Sequence, residues 1–277
     1  MNDTSRRKSP RKTAALPPES VGGGPKDKPG SIGKGLAFLE IVTRQPRIAS
    51  VAEVAAMLDL SKPTGHRIAT TLEDLDFLKR DPGTRRLIEG DRLVELAVRV
   101  LGAAARRGPR HVILQALTEA TGETCNFGVL VGGQVVYLDR VESKWPLGLR
   151  FEPGSRVPAH CTALGKMFLS QLDDNQREAM IGALPLTRYT SNTITDPRKL
   201  ADELQSIRDE GISFDDQEFM SGVVCMAVPC RDAEGRVFAG IAISAPEARQ
   251  TLADMRRHAP ALKEAARKLA RTFVLTD

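Results

Sequence analysis

The sequence predicts an α+β protein built in two parts. Three short helices and a basic hairpin make the front, and hairpin-paired strands with helices outside them make the back. Three observations predict this. Apolar residues recur at helical spacing from Ile32 to Leu75. After Gly108-Pro109 the pattern changes to short alternating runs punctuated by glycine turns. The length of 277 residues matches about two domains at roughly 150 residues each.

Residues 1–30 are rich in Pro, Gly, Ser, Lys and Arg without apolar periodicity, and read as a disordered basic tail. Ile32, Leu36, Leu39 and Val42 then set a first helix, which Pro46 stops. Ser50 followed by Glu53 has the spacing of a capping box. Val51, Val54, Ala55 and Leu58 give this second helix its apolar face. Asp59-Leu60 makes a tight corner, and Ser61 can cap a third helix that carries Pro63 in its first turn. Ile68, Leu72 and Leu75 are its expected buried stripe. Basic pairs, Lys79-Arg80 and Arg85-Arg86, flank the turn Asp81-Pro82-Gly83-Thr84 and predict a hairpin. Leu93, Leu96, Ala97, Val100 and Leu101 mark a longer helix linking the two parts.

In the back part a helix is expected at 111–121, followed by strands at 124–131 and 134–140 around Gly132-Gly133. A third strand is expected at 145–151, and helices near 162–171, 173–183 and 197–210. Strands at 212–216, 223–230 and 237–244 and a helix at 260–273 complete it. The expected division is a tail at 1–30, a front domain at 31–91, a linker helix at 92–108 and a back domain at 109–277.

Composition narrows the function. Hydrophobic residues are 41% of the chain, enough for a sizeable core, and aromatics only 4%, too few for a single-stranded nucleic-acid binder that stacks bases. The first 30 residues hold seven Lys/Arg against three Asp/Glu, and residues 31–108 hold thirteen against ten. The rest holds twenty against twenty-two, so an anionic polymer is expected to meet the front. Cys125, Cys161, Cys225 and Cys230 form no C-x-x-C pair and His is scarce, which argues against zinc; no cofactor is expected. No apolar run approaches the ~20 residues of a membrane span, and the start lacks a secretory signal. The expected location is the cytoplasm.

Helix, corner, helix and basic hairpin are the layout of a winged helix-turn-helix. Opposite its apolar stripe the third helix shows Lys62, Thr64, His66, Arg67 and Thr70, side chains suited to base edges in the major groove. Ser50 and Ser61, at helix starts, suit phosphate, and Lys79, Arg80, Arg85 and Arg86 place a wing on the flanking backbone. Each charge taken singly also fits a solvated face; their concentration within about forty residues points to double-stranded DNA.

The run ASVAEVAAMLDLSKPTGHRIATTLEDLDFLKRD resembles the helix-turn-helix of the isocitrate-lyase-regulator (IclR) family of bacterial transcription factors. VVYLDRVES (135–143), GSRVPAHCTALGKMFLSQL (154–172), GISFDDQEF (211–219) and GVVCMAVPCRDAEGRVFAGIAISAP (222–246) resemble that family's effector domain. Two positions depart from the family. Gly65 stands where a larger residue is usual, at a helix cost of ~1 kcal/mol, and Asp59 replaces the usual Gly of the corner.

The resemblance implies a GAF-like sensor domain that binds a small molecule. Its pocket positions map here to Leu149, Val157, Ala163, Leu164, Asp215, Val223, Cys225, Ala242 and Ser244, with Ala242 in place of one family serine. The helix start after Thr162 suits an anion, so the expected effector is a small carboxylic acid. The expected protein is no enzyme. It is a ligand-responsive repressor or activator of a catabolic operon, bound as a homodimer or dimer of dimers to a pseudo-palindromic operator. The competing class is a Cys-dependent enzyme or redox sensor, but adjacent His160 and Cys161 would point to opposite faces of a strand. Cys161 and Cys225 also read simply as small buried residues, and Asp215 and Asp216 as turn caps.

Overall fold

Capping chemistry fixes where the front helices begin. The computed structural model describes residues 30–44, 50–144 and 151–272, so the expected tail lies outside it except for Gly30. Helix α1 spans Ser31–Arg44, α2 Val51–Met57 and α3 Lys62–Asp74. Ser50 Oγ accepts the Glu53 amide, and the Glu53 carboxylate accepts the Ser50 amide at 2.7 Å, so the capping box forms as the sequence predicts. Ser61 Oγ accepts the Thr64 amide and starts α3, with Pro63 in the first turn. The corner between them places Asp59 at φ 51°, a left-handed backbone that Gly adopts readily and Asp tolerates. The hairpin follows as β1 (Leu78–Arg80) paired antiparallel with β2 (Leu87–Glu89).

Phe38, Val42, Val51, Val54, Ala69, Leu78 and Leu87 form the core of this front part. The helical stripes are only partly core. Ile32 and Leu36 on α1 are 80% and 57% exposed, and Leu75, at the end of α3, is also exposed. The fully buried positions of α3 are Gly65 and Ala69, with Ile68 and Leu72 half-buried against the core. Gly65 has a packing reason: a Cβ added there would lie 2.6 Å from Ala55 Cβ on α2. The missing side chain lets the two helices cross closely, which outweighs its poor helix propensity.

Helix α4 (Asp91–Arg107) links this part to α5 (Pro109–Thr121), and the hairpin β3 (Thr124–Val131) and β4 (Gln134–Val141) follows. The strand expected at 145–151 is not confirmed: residues 145–150 lie outside the described residues, and Phe151 is not in a strand. The next strand is β5, Arg156–Pro158. It leads into α6 (Ala163–Ser170), α7 (Asp174–Ala183) and α8 (Pro197–Glu210). Strands β6 (Ser213–Asp216), β7 (Val223–Arg231) and β8 (Val237–Pro246) precede α9 (Leu252–Arg256) and α10 (Ala259–Arg271). The six strands make one antiparallel sheet in the order β5-β4-β3-β8-β7-β6.

Strand alternation gives this sheet two different faces. Cys125, Phe127, Leu138, Met226, Ile241 and Ile243 pack with Leu114 and Leu117 of α5 and Leu262 and Leu269 of α10. Val135, Tyr137, Ala227 and Ala242 pack on the other side with Leu164, Met167 and Phe168 of α6. All eight residues of α6 are buried. A Cβ at Gly165 would collide with the backbone of Ala159, so only glycine lets the helix start press against the preceding chain.

Gly65→Ala is expected to destabilise the front part by about 1–3 kcal/mol despite alanine's better helix propensity, because the added methyl overpacks the helix crossing. Thermal unfolding of Gly65→Ala alone and with Ala55→Gly checks this. The double variant should regain most of the lost stability, and additive losses would contradict the packing account.

Candidate functional site

On α3 the polar face forms as expected. Lys62, His66, Arg67 and Thr70 are exposed, and Thr64 is half-buried with its hydroxyl 2.9 Å from that of Ser61. Lys62 and Arg67 have no ion-pair partner among the described residues. The hairpin cations are differently placed. Lys79 pairs with Asp91 at 2.8 Å, Arg80 with Glu73 at 2.8 Å, and Arg86 lies 3.9 Å from Glu53. Arg85 sits exposed at the turn with φ 59°. Asp81 closes that turn, and the hydrogen bonds from the Thr84 amide and hydroxyl hold its carboxyl below the usual range. Ser50 and Ser61 spend their side-chain oxygens as helix caps.

The second site lies between α6 and the sheet. Tyr137, Arg140, Phe151, Thr162, Ala163, Leu164, Asp215, Phe219, Met220, Val223, Cys225, Ala242 and Ser244 line a pocket of about 540 Å³, its open mouth included. Apolar walls with a few convergent polar groups are the usual make-up of a small-molecule site. Of the nine positions expected from sequence, Ala163, Leu164, Asp215, Val223, Cys225, Ala242 and Ser244 meet there. Val157 does not line it. It pairs with Val135 across β5 and β4 and is buried in the core beside the pocket. Leu149 lies outside the described residues.

Thr162 caps α6, its hydroxyl donating to the Pro158 carbonyl at 2.7 Å and accepting the Gly165 amide at 3.2 Å. Ala163 and Leu164 line the pocket, and as the first residues of α6 their amides have no partner within the helix. Cys225 is not simply a small core residue: it is half-buried, and its thiol donates to Ser244 Oγ at 3.1 Å. Asp215 accepts the Glu218 amide at 2.7 Å. Burial pushes its carboxyl up to about 7, with the neighbouring Glu218 adding to the shift. Lys166 is buried in α6 and donates to Glu218 and, at 3.0 Å, to Glu203. Burial alone would lower its pKa, but the two carboxylates hold it above the usual lysine value.

Arg140, Met220 and the aromatics Tyr137, Phe151 and Phe219 are what sequence reasoning missed. The signal for Arg140 was hidden by a bulge. Asn126 faces Arg140 and Gly128 faces Tyr137, so β4 carries one residue more than β3 between those pairs. The extra residue breaks simple alternation and turns both Tyr137 and Arg140 onto the pocket face.

The thiols show no nucleophilic activation. Burial pushes Cys125 and Cys230 up to about 12 and raises Cys161 and Cys225 as well. The His160 ring bonds the Thr187 carbonyl at 2.9 Å, and burial lowers its pKa. Among the described residues no group of His, Cys, Asp and Glu could hold a metal ion, and no helix is long and apolar enough to cross a membrane.

A helix-turn-helix model of IclR regulators matches residues 31–82, and the model of the bacterial transcriptional regulator IclR C-terminal domain matches residues 104–271. The chain belongs to the IclR family. Among its relatives, the probable transcriptional regulator SauR of Cupriavidus necator is 39% identical over 85% of this chain and 94% of its own length. The HTH-type transcriptional regulator BhcR of Paracoccus denitrificans is 33% identical over 80% of this chain and 79% of its own. The crystal structure of Thermotoga maritima IclR superposes with a TM-score of 0.58 at 28% identity, covering 88% of this chain and 99% of that one. These IclR relatives are DNA-binding regulators of transcription, not enzymes, and so is this chain.

Asp215 gives the C-terminal part a pH signature. Its folded pKa lies above the unfolded value, so its contribution to stability is complete below about pH 4 and is lost as pH rises through about 7. Asp215→Asn keeps an oxygen for the Glu218 amide and removes the titration. Its melting temperature is expected to fall less than the wild type's between about pH 5 and pH 8. Parallel profiles for the two proteins would refute the assignment.

Proposed function

We propose that this IclR-family regulator is ligand-responsive and senses a small carboxylic acid from a catabolic pathway. The observation that carries the reading is the convergence of seven of the nine sequence-expected positions on one pocket at the start of α6. There the Ala163 and Leu164 amides and the positive end of the helix dipole favour a carboxylate by about 0.3–2 kcal/mol. Leu164, Val223 and Cys225 supply apolar wall, and Ser244 a hydroxyl. Asp215 in its ionised form would repel an anion at close range, so it meets a hydroxyl, a neutral end of the ligand or a bridging water.

Double-stranded DNA is read by α3, with Lys62, Thr64, His66, Arg67 and Thr70 toward the bases. Ser50, Ser61, Lys79, Arg80, Arg85 and Arg86 meet the backbone. The domain division proposed is 31–91 for DNA, 92–108 for the linker and 109–277 for the effector, acting in the cytoplasm. One recognition helix reads too few bases for useful specificity, so the active form is a homodimer or dimer of dimers on a pseudo-palindromic operator. Exposed Ile32 and Leu36 on α1 and Leu96 and Val100 on α4 offer the apolar surface for that pairing.

Arg67→Ala is expected to cost about 1–3 kcal/mol of operator affinity and to relax base preference, while Lys62→Ala weakens binding and flattens its salt dependence if it serves phosphate. Quantitative gel shifts at several salt concentrations check this. Wild-type binding by both variants would show that α3 is not the reader. Calorimetry with an acid and its neutral amide tests the ligand reading: the acid should bind more tightly, Ala163→Trp should abolish binding and Ser244→Ala should weaken it. Equal affinity for acid and amide would sink the carboxylate proposal.

A further inference from the structure

A chain of hydrogen bonds crosses the pocket floor over four strands. Arg140 Nη1 donates to Asn126 Oδ1 at 2.8 Å, Asn126 Nδ2 donates to Ser244 Oγ at 3.2 Å, and the Cys225 thiol donates to the same oxygen at 3.1 Å. The direction from Arg140 to Ser244 is forced. A guanidinium has donors only, so the Asn126 carbonyl must face Arg140 and its NH2 must face Ser244. Ser244 Oγ then accepts twice, which leaves its own proton to be donated into the pocket. Arg140 is only 5% exposed along its side chain, and its Nε faces Glu142 at 3.4 Å. Its Nη2 has no hydrogen-bond partner among the described residues and is not enclosed by protein. The Phe151 ring, 5.7 Å from the guanidinium carbon, shields it from one side.

The pocket therefore presents two separate sets of donors: the amides at the start of α6, and Arg140 with Ser244 on the sheet. We propose that Arg140 is a specificity-determining residue that, with the Ser244 hydroxyl, binds a second acidic group, so that the effector is a bifunctional organic acid. This rests on the acid-sensing reading above and adds to it the far end of the ligand. One carboxylate occupies the α6 start; the other meets a planar fork of N–H groups already aimed by Asn126, where little side-chain freedom remains to be lost. A methyl-ended acid would leave Nη2 of the buried guanidinium without a partner, which is how a polar pocket rejects a ligand lacking the group.

The test uses the full chain and three probes of one length: succinate, butyrate and butyramide. Calorimetry gives affinities, and amide spectra of Ala163, Leu164 and Ser244 report where each probe sits. Wild type is expected to bind succinate at least about tenfold more tightly than butyrate. Arg140→Gln should erase that preference by weakening succinate without weakening butyrate, and Arg140→Lys, which keeps the charge, should retain part of it. Equal affinities for succinate and butyrate, or a preference that survives Arg140→Gln, overturn the assignment of Arg140 and leave the acid reading standing. Butyrate and butyramide binding alike overturns the acid reading itself. No perturbation of the three amides by either acid overturns both.

Discussion

Burying α6 against the sheet is the constraint on which the C-terminal part depends. The helix is covered on every side, yet it carries Lys166, whose ammonium could not leave water without partners. Glu218 and Glu203 supply them. Glu203 belongs to α8, and Glu218 sits in the β6–β7 connection together with Phe219 and Met220, which wall the pocket. One buried ion pair thus joins helix, loop and sheet edge. Thr190 and Thr193 add to it by donating to the Gln217 and Glu218 carbonyls.

Strand β4 faces both ways. Its Arg140 lines the pocket, while Asp139, the residue before it, turns to the opposite side and sits 2.9 Å from Nδ1 of His111. His111 lies in the first turn of α5, directly after α4. The bulge at Leu138 and Asp139 creates this arrangement, since regular pleating from Tyr137 would send Arg140 away from the pocket. Neighbouring residues of β4 thus line the pocket and contact the first turn of α5.

The front part separates its charges by task. Lys79, Arg80 and Arg86 have acidic partners within the same part, so the hairpin is held in place by the residues that give it its charge. Exposed ion pairs of this kind are worth at most about 1 kcal/mol each, but they limit how far each side chain wanders. On α3, by contrast, Lys62 and Arg67 extend from a helix fixed by the Ser61 cap and by the close crossing at Gly65.

Much of this was legible in the chain. Caps at Ser50, Ser61 and Thr162, the turn at Asp81–Thr84, the strand alternation and the Pro and Gly stops are local chemistry, decided within a few residues by hydrogen bonding and backbone sterics. Seven pocket positions were legible through resemblance, because a family keeps its motifs in order along the chain. Tertiary structure decided what spacing could not. Whether an apolar residue on a helix is core depends on which neighbour meets it, so Ile32 and Leu75 proved exposed while Gly65 proved buried. Val157 fell in the core instead of the pocket for the same reason. Arg140 entered the pocket through a single extra residue in β4, a change in strand pairing that exists only once β3 lies beside it.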